Sequence, residues 1–157
     1  IGRFFNTIGP RQTGRYGMVV PRFVQWALRD EPVLIYGTGK QKRCFCYVAD
    51  LVEAITKLMN CEQAVGKVYN IGSAEEITIE GLADKIIDMI GSKSKKEYVA
   101  YEVAYGRPIE DMMRRVPSLE RIKKTIAWEP KTSLTDALQV IIESLKKQRD
   151  VHYVNNT

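Results

Sequence analysis

Lys67-Val-Tyr-Asn-Ile-Gly72, followed closely by Thr78-Ile-Glu-Gly-Leu-Ala-Asp-Lys-Ile-Ile-Asp-Met-Ile-Gly91, is the stretch whose reading decides the fold. Lys67–Ile71 has strand character and is stopped by Gly72. Ile79, Leu82, Ala83, Ile86 and Ile90 then recur at helical spacing, with Thr78 placed to cap the first turn and Gly91 placed to end the last. Working outward, the same alternation continues. Leu51, Ala54, Ile55 and Leu58 form a helical stripe behind the strand-like Arg43-Cys-Phe-Cys-Tyr47. Val33-Leu-Ile-Tyr36 reads as a strand closed by Gly37-Thr-Gly39. Val20, Phe23, Val24, Ala27 and Leu28 mark a helix ending near Asp30, with Pro21 in the first turn where a missing amide hydrogen is tolerated. Gly2–Asn6 reads as an opening strand.

Downstream, Ser92–Lys96 is a polar loop, Glu97–Tyr101 is strand-like, and Arg107–Arg115 is charged and without a period. Helices are predicted over Ser118–Ala127 and Ser133–Lys147, the second with Asp136 three residues past Ser133 as in a capping box. Residues 149–157 are expected to fray. Alternating strands and helices predict an α/β domain whose parallel strands are covered by helices.

Composition bounds what such a domain does. The chain has 157 residues, with Lys+Arg 24 against Asp+Glu 19 and a net charge of +5. At 45% hydrophobic and 27% charged it carries enough apolar material for a core, which excludes a disordered polar chain. Its apolar runs fall far short of the roughly 20 residues that cross a bilayer, and no secretion leader is evident, so no membrane role is expected and the cytoplasm is the default compartment. Cys44, Cys46 and Cys61 read as reduced thiols, since Cys-x-Cys on an extended segment is poor zinc spacing. One histidine, His152, argues against a Ser-His-Asp hydrolase. The basic balance and the cluster Lys93, Lys95 and Lys96 raise a nucleic-acid-binding module as an alternative. Acidic residues are interspersed, however, and aromatics are not interleaved with the basic run as a stacking platform requires, so no nucleic-acid partner is expected. A non-catalytic assembly domain is the other alternative.

Signatures of phosphate and dinucleotide chemistry are absent: there is no Gly-x-Gly-x-x-Gly and no Gly-x-x-x-x-Gly-Lys-Ser/Thr. Tyr36-Gly-Thr-Gly-Lys40 has the Tyr-x-x-x-Lys spacing of short-chain dehydrogenases, but that chemistry needs both side chains one helical turn apart, and Gly37 and Gly39 make this segment a turn. Asn6 ends a strand just before Gly9-Pro10, where an α/β sheet usually opens to ligand. It is a candidate ligand contact, and the plainer reading is an asparagine that caps its own turn. Period-two alternation puts Arg43, Phe45 and Tyr47 on one side of their strand and the cysteines on the other. A guanidinium beside a ring suits a nucleotide diphosphate, although a solvated edge charge beside a core phenylalanine gives the same pattern.

Taken together, these segments resemble the C-terminal part of extended short-chain dehydrogenases acting on nucleotide sugars. The carriers are Arg3-Phe-Phe-Asn-Thr-Ile-Gly-Pro-Arg11, Gly17-Met-Val-Val-Pro-Arg-Phe23, Val33-Leu-Ile-Tyr-Gly-Thr-Gly39, Arg43-Cys-Phe-Cys-Tyr-Val-Ala-Asp-Leu51 and Tyr69-Asn-Ile-Gly72. Gly106-Arg-Pro-Ile-Glu-Asp111, Arg114-Arg-Val-Pro117 and Ala127-Trp-Glu-Pro130 complete the set. The likeness is greatest to UDP-glucuronate decarboxylases, dTDP-glucose 4,6-dehydratases and UDP-sugar 4-epimerases. Cys44 and Cys46 depart from the small hydroxyl residues common there, and Ala49 stands where an acidic residue is frequent.

The resemblance implies a Rossmann-like α/β fold in which residues 1–148 form a substrate-binding lobe for a UDP- or dTDP-sugar. It implies Asn6 at the diphosphate or sugar, Leu34 and Tyr36 flanking the base, Arg43 on a phosphate with Phe45 beside it, and Arg107 with Glu110 on phosphate and ribose. Phe5 would lie near the nicotinamide of NAD. The family's glycine-rich turn and Tyr-x-x-x-Lys pair lie upstream of the Arg-x-Phe-Asn strand, so the implied partner is a missing N-terminal NAD-binding lobe. The chain by itself is expected to be inactive, and the unpaired edge of the first strand is expected to favour self-association.

Overall fold

A computed structural model describes the backbone of residues 1–14, 18–107 and 110–154, and side chains within those ranges as far as Gln148. Gly17 of the quoted loop, Pro108 and Ile109 of the charged stretch, and 155–157 of the tail lie outside the described residues.

Strands and helices follow as β1 (Gly2–Phe4), β2 (Thr7–Ile8), α1 (Val19–Leu28), β3 (Val33–Tyr36), β4 (Lys42–Cys44), β5 (Cys46–Tyr47) and α2 (Val48–Met59). After a 3-10 turn at Glu62–Ala64 come β6 (Tyr69–Ile71), β7 (Glu76–Thr78), α3 (Ile79–Ile90), β8 (Lys96–Val99) and α4 (Tyr101–Tyr105). The order closes with β9 (Arg114–Arg115), α5 (Glu120–Ile126) and α6 (Leu134–Val154). Helix α6 runs past the Lys147 at which the periodicity ends. The α/β reading holds. β1 pairs with β6, β2 with β5, and β3 with β8, all parallel, while β4 runs antiparallel to β7 and parallel to β9.

Local chemistry explains the elements that were legible. The Thr78 hydroxyl accepts from the Gly81 amide at 2.9 Å, and Gly91 takes the left-handed φ of 70° that closes α3. Half of the Ser133–Asp136 box forms: the Asp136 amide donates to Ser133 Oγ at 3.1 Å, while the Asp136 carboxylate accepts from the Ser133 hydroxyl at 2.6 Å in place of the backbone amide. One segment departs from expectation. Arg43–Tyr47 is not a single strand: it breaks at Phe45 into β4 and β5, which pair in different sheets. Asn6 explains the break. Its side-chain amide donates to the Cys44 carbonyl at 2.8 Å, and its own carbonyl accepts from the Cys46 amide at 3.1 Å, so one residue brackets Phe45 on both sides. Asn6 has a φ of 39°, a left-handed conformation that asparagine tolerates better than most residues.

Two apolar clusters hold the layers together. The larger joins Phe23 and Val24 of α1, Ile35 of β3, Leu82 and Ile86 of α3, and Leu138 and Ile141 of α6. The smaller gathers Leu51 and Ala54 of α2, Tyr69 and Ile71 of β6, Ile122 of α5 and Trp128. Cys44 and Cys46 are buried, and removal from water pushes the Cys44 thiol up and the Cys46 thiol to about 12. Cys61 is partly exposed.

All three residues of β1 are exposed, and among the described residues β6 is its one strand partner. Phe4 is 51% exposed and shares an apolar hollow with Ile1, Ile55, Met59 and Val65. An uncovered strand edge beside an apolar patch is a template for association. Light scattering across a dilution series should therefore show concentration-dependent self-association, reduced by Phe4→Lys. A parent that stays monomeric and a variant that changes nothing would refute the edge argument.

Candidate functional site

Helix α1 and strand β3 form two walls of a cleft of about 210 Å³, with the β4–β5 break as its floor and α4 as its far side. Asn6, Leu34, Tyr36, Arg43 and Phe45, five of the residues expected to bind substrate, line it together. They are joined by Arg22, from the segment likened to the family's substrate-binding loop, and by Trp26, Gln41, Tyr101, Tyr105 and Asp111, none of which was named as a site residue.

The aromatic wall is built from helical spacing. Arg22 and Trp26 lie four residues apart on α1, which brings the guanidinium to 4.7 Å from the Trp26 ring centre. The same guanidinium stands 5.2 Å from the Tyr36 ring and donates from Nη2 to the Tyr36 hydroxyl at 2.6 Å. On α4, Tyr101 and Tyr105 are likewise four apart, and the Tyr105 ring meets Tyr36 edge-on at 5.5 Å.

Arg43 is held more tightly. Nη1 donates to the Lys42 carbonyl at 2.7 Å and to the Met112 carbonyl at 2.8 Å, and Nη2 donates to Asp111 Oδ1 at 2.5 Å. The other oxygen of Asp111 accepts from the Tyr101 hydroxyl at 2.8 Å, and that hydroxyl in turn accepts from Gln41 Nε2 at 3.0 Å. Gln41, 6% exposed, also donates to the Tyr36 carbonyl at 3.0 Å. Burial, and then the hydrogen bond to Asp111, push the Tyr101 hydroxyl up to about 12, so it remains a donor throughout the physiological range.

The remaining expected residues sit elsewhere. Arg107 and Glu110 are exposed and do not line the cleft; Asp111, one position on, supplies this segment's contact. Phe5 also lies off the cleft lining, with the Arg115 guanidinium 5.6 Å from its ring centre and its side chain against Gly72. Among the described residues, no group of three His, Cys, Asp or Glu side chains gathers to hold a metal ion, and no helix is long and apolar enough to cross a membrane.

The family described as GDP-mannose 4,6 dehydratase matches over residues 1–141. A UDP-N-acetyl-alpha-D-glucosaminuronate decarboxylase of Bacillus cytotoxicus is 38% identical over 144 residues, covering 91% of this chain and 44% of its own. The chain thus spans less than half the length of that relative. Among solved structures, the UDP-glucose 4-epimerase of Thermotoga maritima with UDP-glucose superposes with a TM-score of 0.82 at 30% identity, covering 94% of this chain and 45% of that one. The UDP-glucuronic acid 4-epimerase of Bacillus cereus, in complex with UDP-glucuronic acid and NAD, superposes with a TM-score of 0.81 at 26% identity, over 94% and 45%.

Proposed function

The chain belongs to the GDP-mannose 4,6 dehydratase family, and on that premise we propose that residues 1–148 form the substrate-binding lobe of an NAD-dependent nucleotide-sugar epimerase, dehydratase or decarboxylase. The observation that carries this reading is the convergence of Arg43, Phe45, Tyr36, Leu34 and Asn6 on one aromatic-walled cleft. Rings offer faces on which a base packs, and a guanidinium fork offers paired donors to a phosphate. The ligand class proposed is a UDP- or dTDP-sugar, in keeping with the UDP-sugars bound in the two epimerase structures.

Size supports a half-site. About 210 Å³ is below the roughly 300–1,000 Å³ of clefts that enclose a small-molecule ligand, in keeping with a cleft that a second wall completes. In the whole enzyme the sugar would be presented for oxidation at C4 to a 4-keto intermediate, with the NAD and the base for that step supplied by an N-terminal lobe.

The experiment has two arms. Titration followed by NMR should show UDP binding with shifts at cleft residues, and the purified chain mixed with NAD and UDP-glucuronate should produce neither NADH nor a new sugar nucleotide. Failure of UDP to bind would remove the substrate-lobe reading, and turnover by the chain alone would overturn the assignment of the chemistry to another lobe.

A further inference from the structure

Resting on the nucleotide reading above, we propose that Asp111 is a positioning residue that fixes the Arg43 guanidinium with two of its donors turned free for a ligand's phosphate oxygens.

The count of donors carries the argument. A guanidinium has five N–H groups. Both on Nη1 go to backbone carbonyls, of Lys42 and Met112, and one on Nη2 goes to Asp111. Among the described residues, the Nε hydrogen and the second Nη2 hydrogen have no acceptor. Two donors on adjacent nitrogens make the fork that pairs with two phosphate oxygens.

Asp111 is itself held from two directions. Its Oδ2 accepts from Tyr101, which is braced by the buried Gln41, so the carboxylate cannot swing away without breaking a satisfied relay. Behind it the backbone is registered against the strand that carries Arg43: the Lys42 amide donates to the Met113 carbonyl at 2.8 Å, and β9 pairs Arg115 with Arg43. Arg114 then clasps Glu76 with bonds of 2.9 and 2.6 Å, tying β9 to the strand on the far side of β4. An arginine ordered before the ligand arrives loses less rotamer freedom on binding than one that must be ordered by it. Arg22, the other guanidinium of the cleft, is packed between rings and makes no ion pair among the described residues.

The test compares UDP with uridine, which lacks phosphate, in NMR titrations of the parent, Asp111→Asn, Arg43→Ala and the double variant. Asp111→Asn should weaken UDP about three- to tenfold, the range expected when one side chain must be ordered anew on binding, and leave uridine unchanged. It should have no further effect in the Arg43→Ala background. Without ligand, the parent should show separate Arg43 Nη1 and Nη2 signals, the mark of hindered guanidinium rotation, and exchange between them should be faster in Asp111→Asn, in which the charged partner is gone and the two carbonyl bonds remain.

Unchanged or tighter UDP binding by Asp111→Asn would overturn the inference and make Asp111 a competitor for Arg43. Equal losses for UDP and uridine would also overturn it, as general damage to the cleft. A parent that does not bind UDP refutes the nucleotide reading and the ligand half of this one, while the ligand-free signals still decide whether Asp111 fixes Arg43.

Discussion

Arg43→Ala is expected to weaken UDP binding at least tenfold in calorimetry or NMR titration while leaving uridine within about twofold of the parent. A hydrogen bond to a charged group contributes about 1.5–3 kcal/mol, and each 1.4 kcal/mol is a factor of ten in affinity. Arg43 is partly buried, with a side chain 13% exposed, so its charge is less screened than a surface lysine's. The substitution also strips Asp111 of its partner. For that reason Arg43→Lys is the informative companion: it keeps the positive charge and loses the planar fork, and should recover only part of the affinity. Equal UDP affinity in parent and Arg43→Ala would reduce Arg43 to a clamp on the segment that follows α4.

Trp128→Ala is expected to cost about 3–5 kcal/mol of folding free energy, measured as a fall in the urea midpoint at unchanged slope. Trp128 is 1% exposed and belongs to the smaller cluster, together with buried side chains from α2, β6 and α5. Domains are stable by only about 5–15 kcal/mol, so a large share of the margin is at stake. A loss below about 1 kcal/mol would mean that α5 and the loop after it contribute little to the fold.

Local rules carried the reading far, and they stopped where distant residues intervene. Helix α3 was legible because Thr78, its apolar stripe and Gly91 all lie within a single stretch. The break at Phe45 was not, because Asn6 imposes it through the Cys44 carbonyl, 38 positions away. Tyr101 reads as the end of a strand when seen behind Glu97-Tyr98-Val99. Its place on α4 follows from bonds to Gln41 and Asp111, which no window around it contains. The cleft was partly visible for the same reason. Arg43 and Phe45 share a short alternating segment, and Tyr36 ends a β-branched run. Arg22 and Trp26 already had the four-residue spacing that stacks a guanidinium on a ring, but only the opposing Tyr36 shows that this pair faces a site. Asp111 had no local signal, being one acid in a charged stretch without a period.

The uneven burial of the three thiols has a practical side. Cys44 and Cys46 flank the cleft floor from inside the protein, and their raised pKa leaves almost no thiolate at neutral pH to attack an electrophile. Cys61 is partly open, just past the end of α2 and a short step from Met59, Ala64 and Val65 around the apolar hollow beside β1. Of the three cysteines in this chain, Cys61 is thus the one open to a maleimide dye or spin label, two residues from Met59 of the apolar hollow and outside the lining of the ligand cleft.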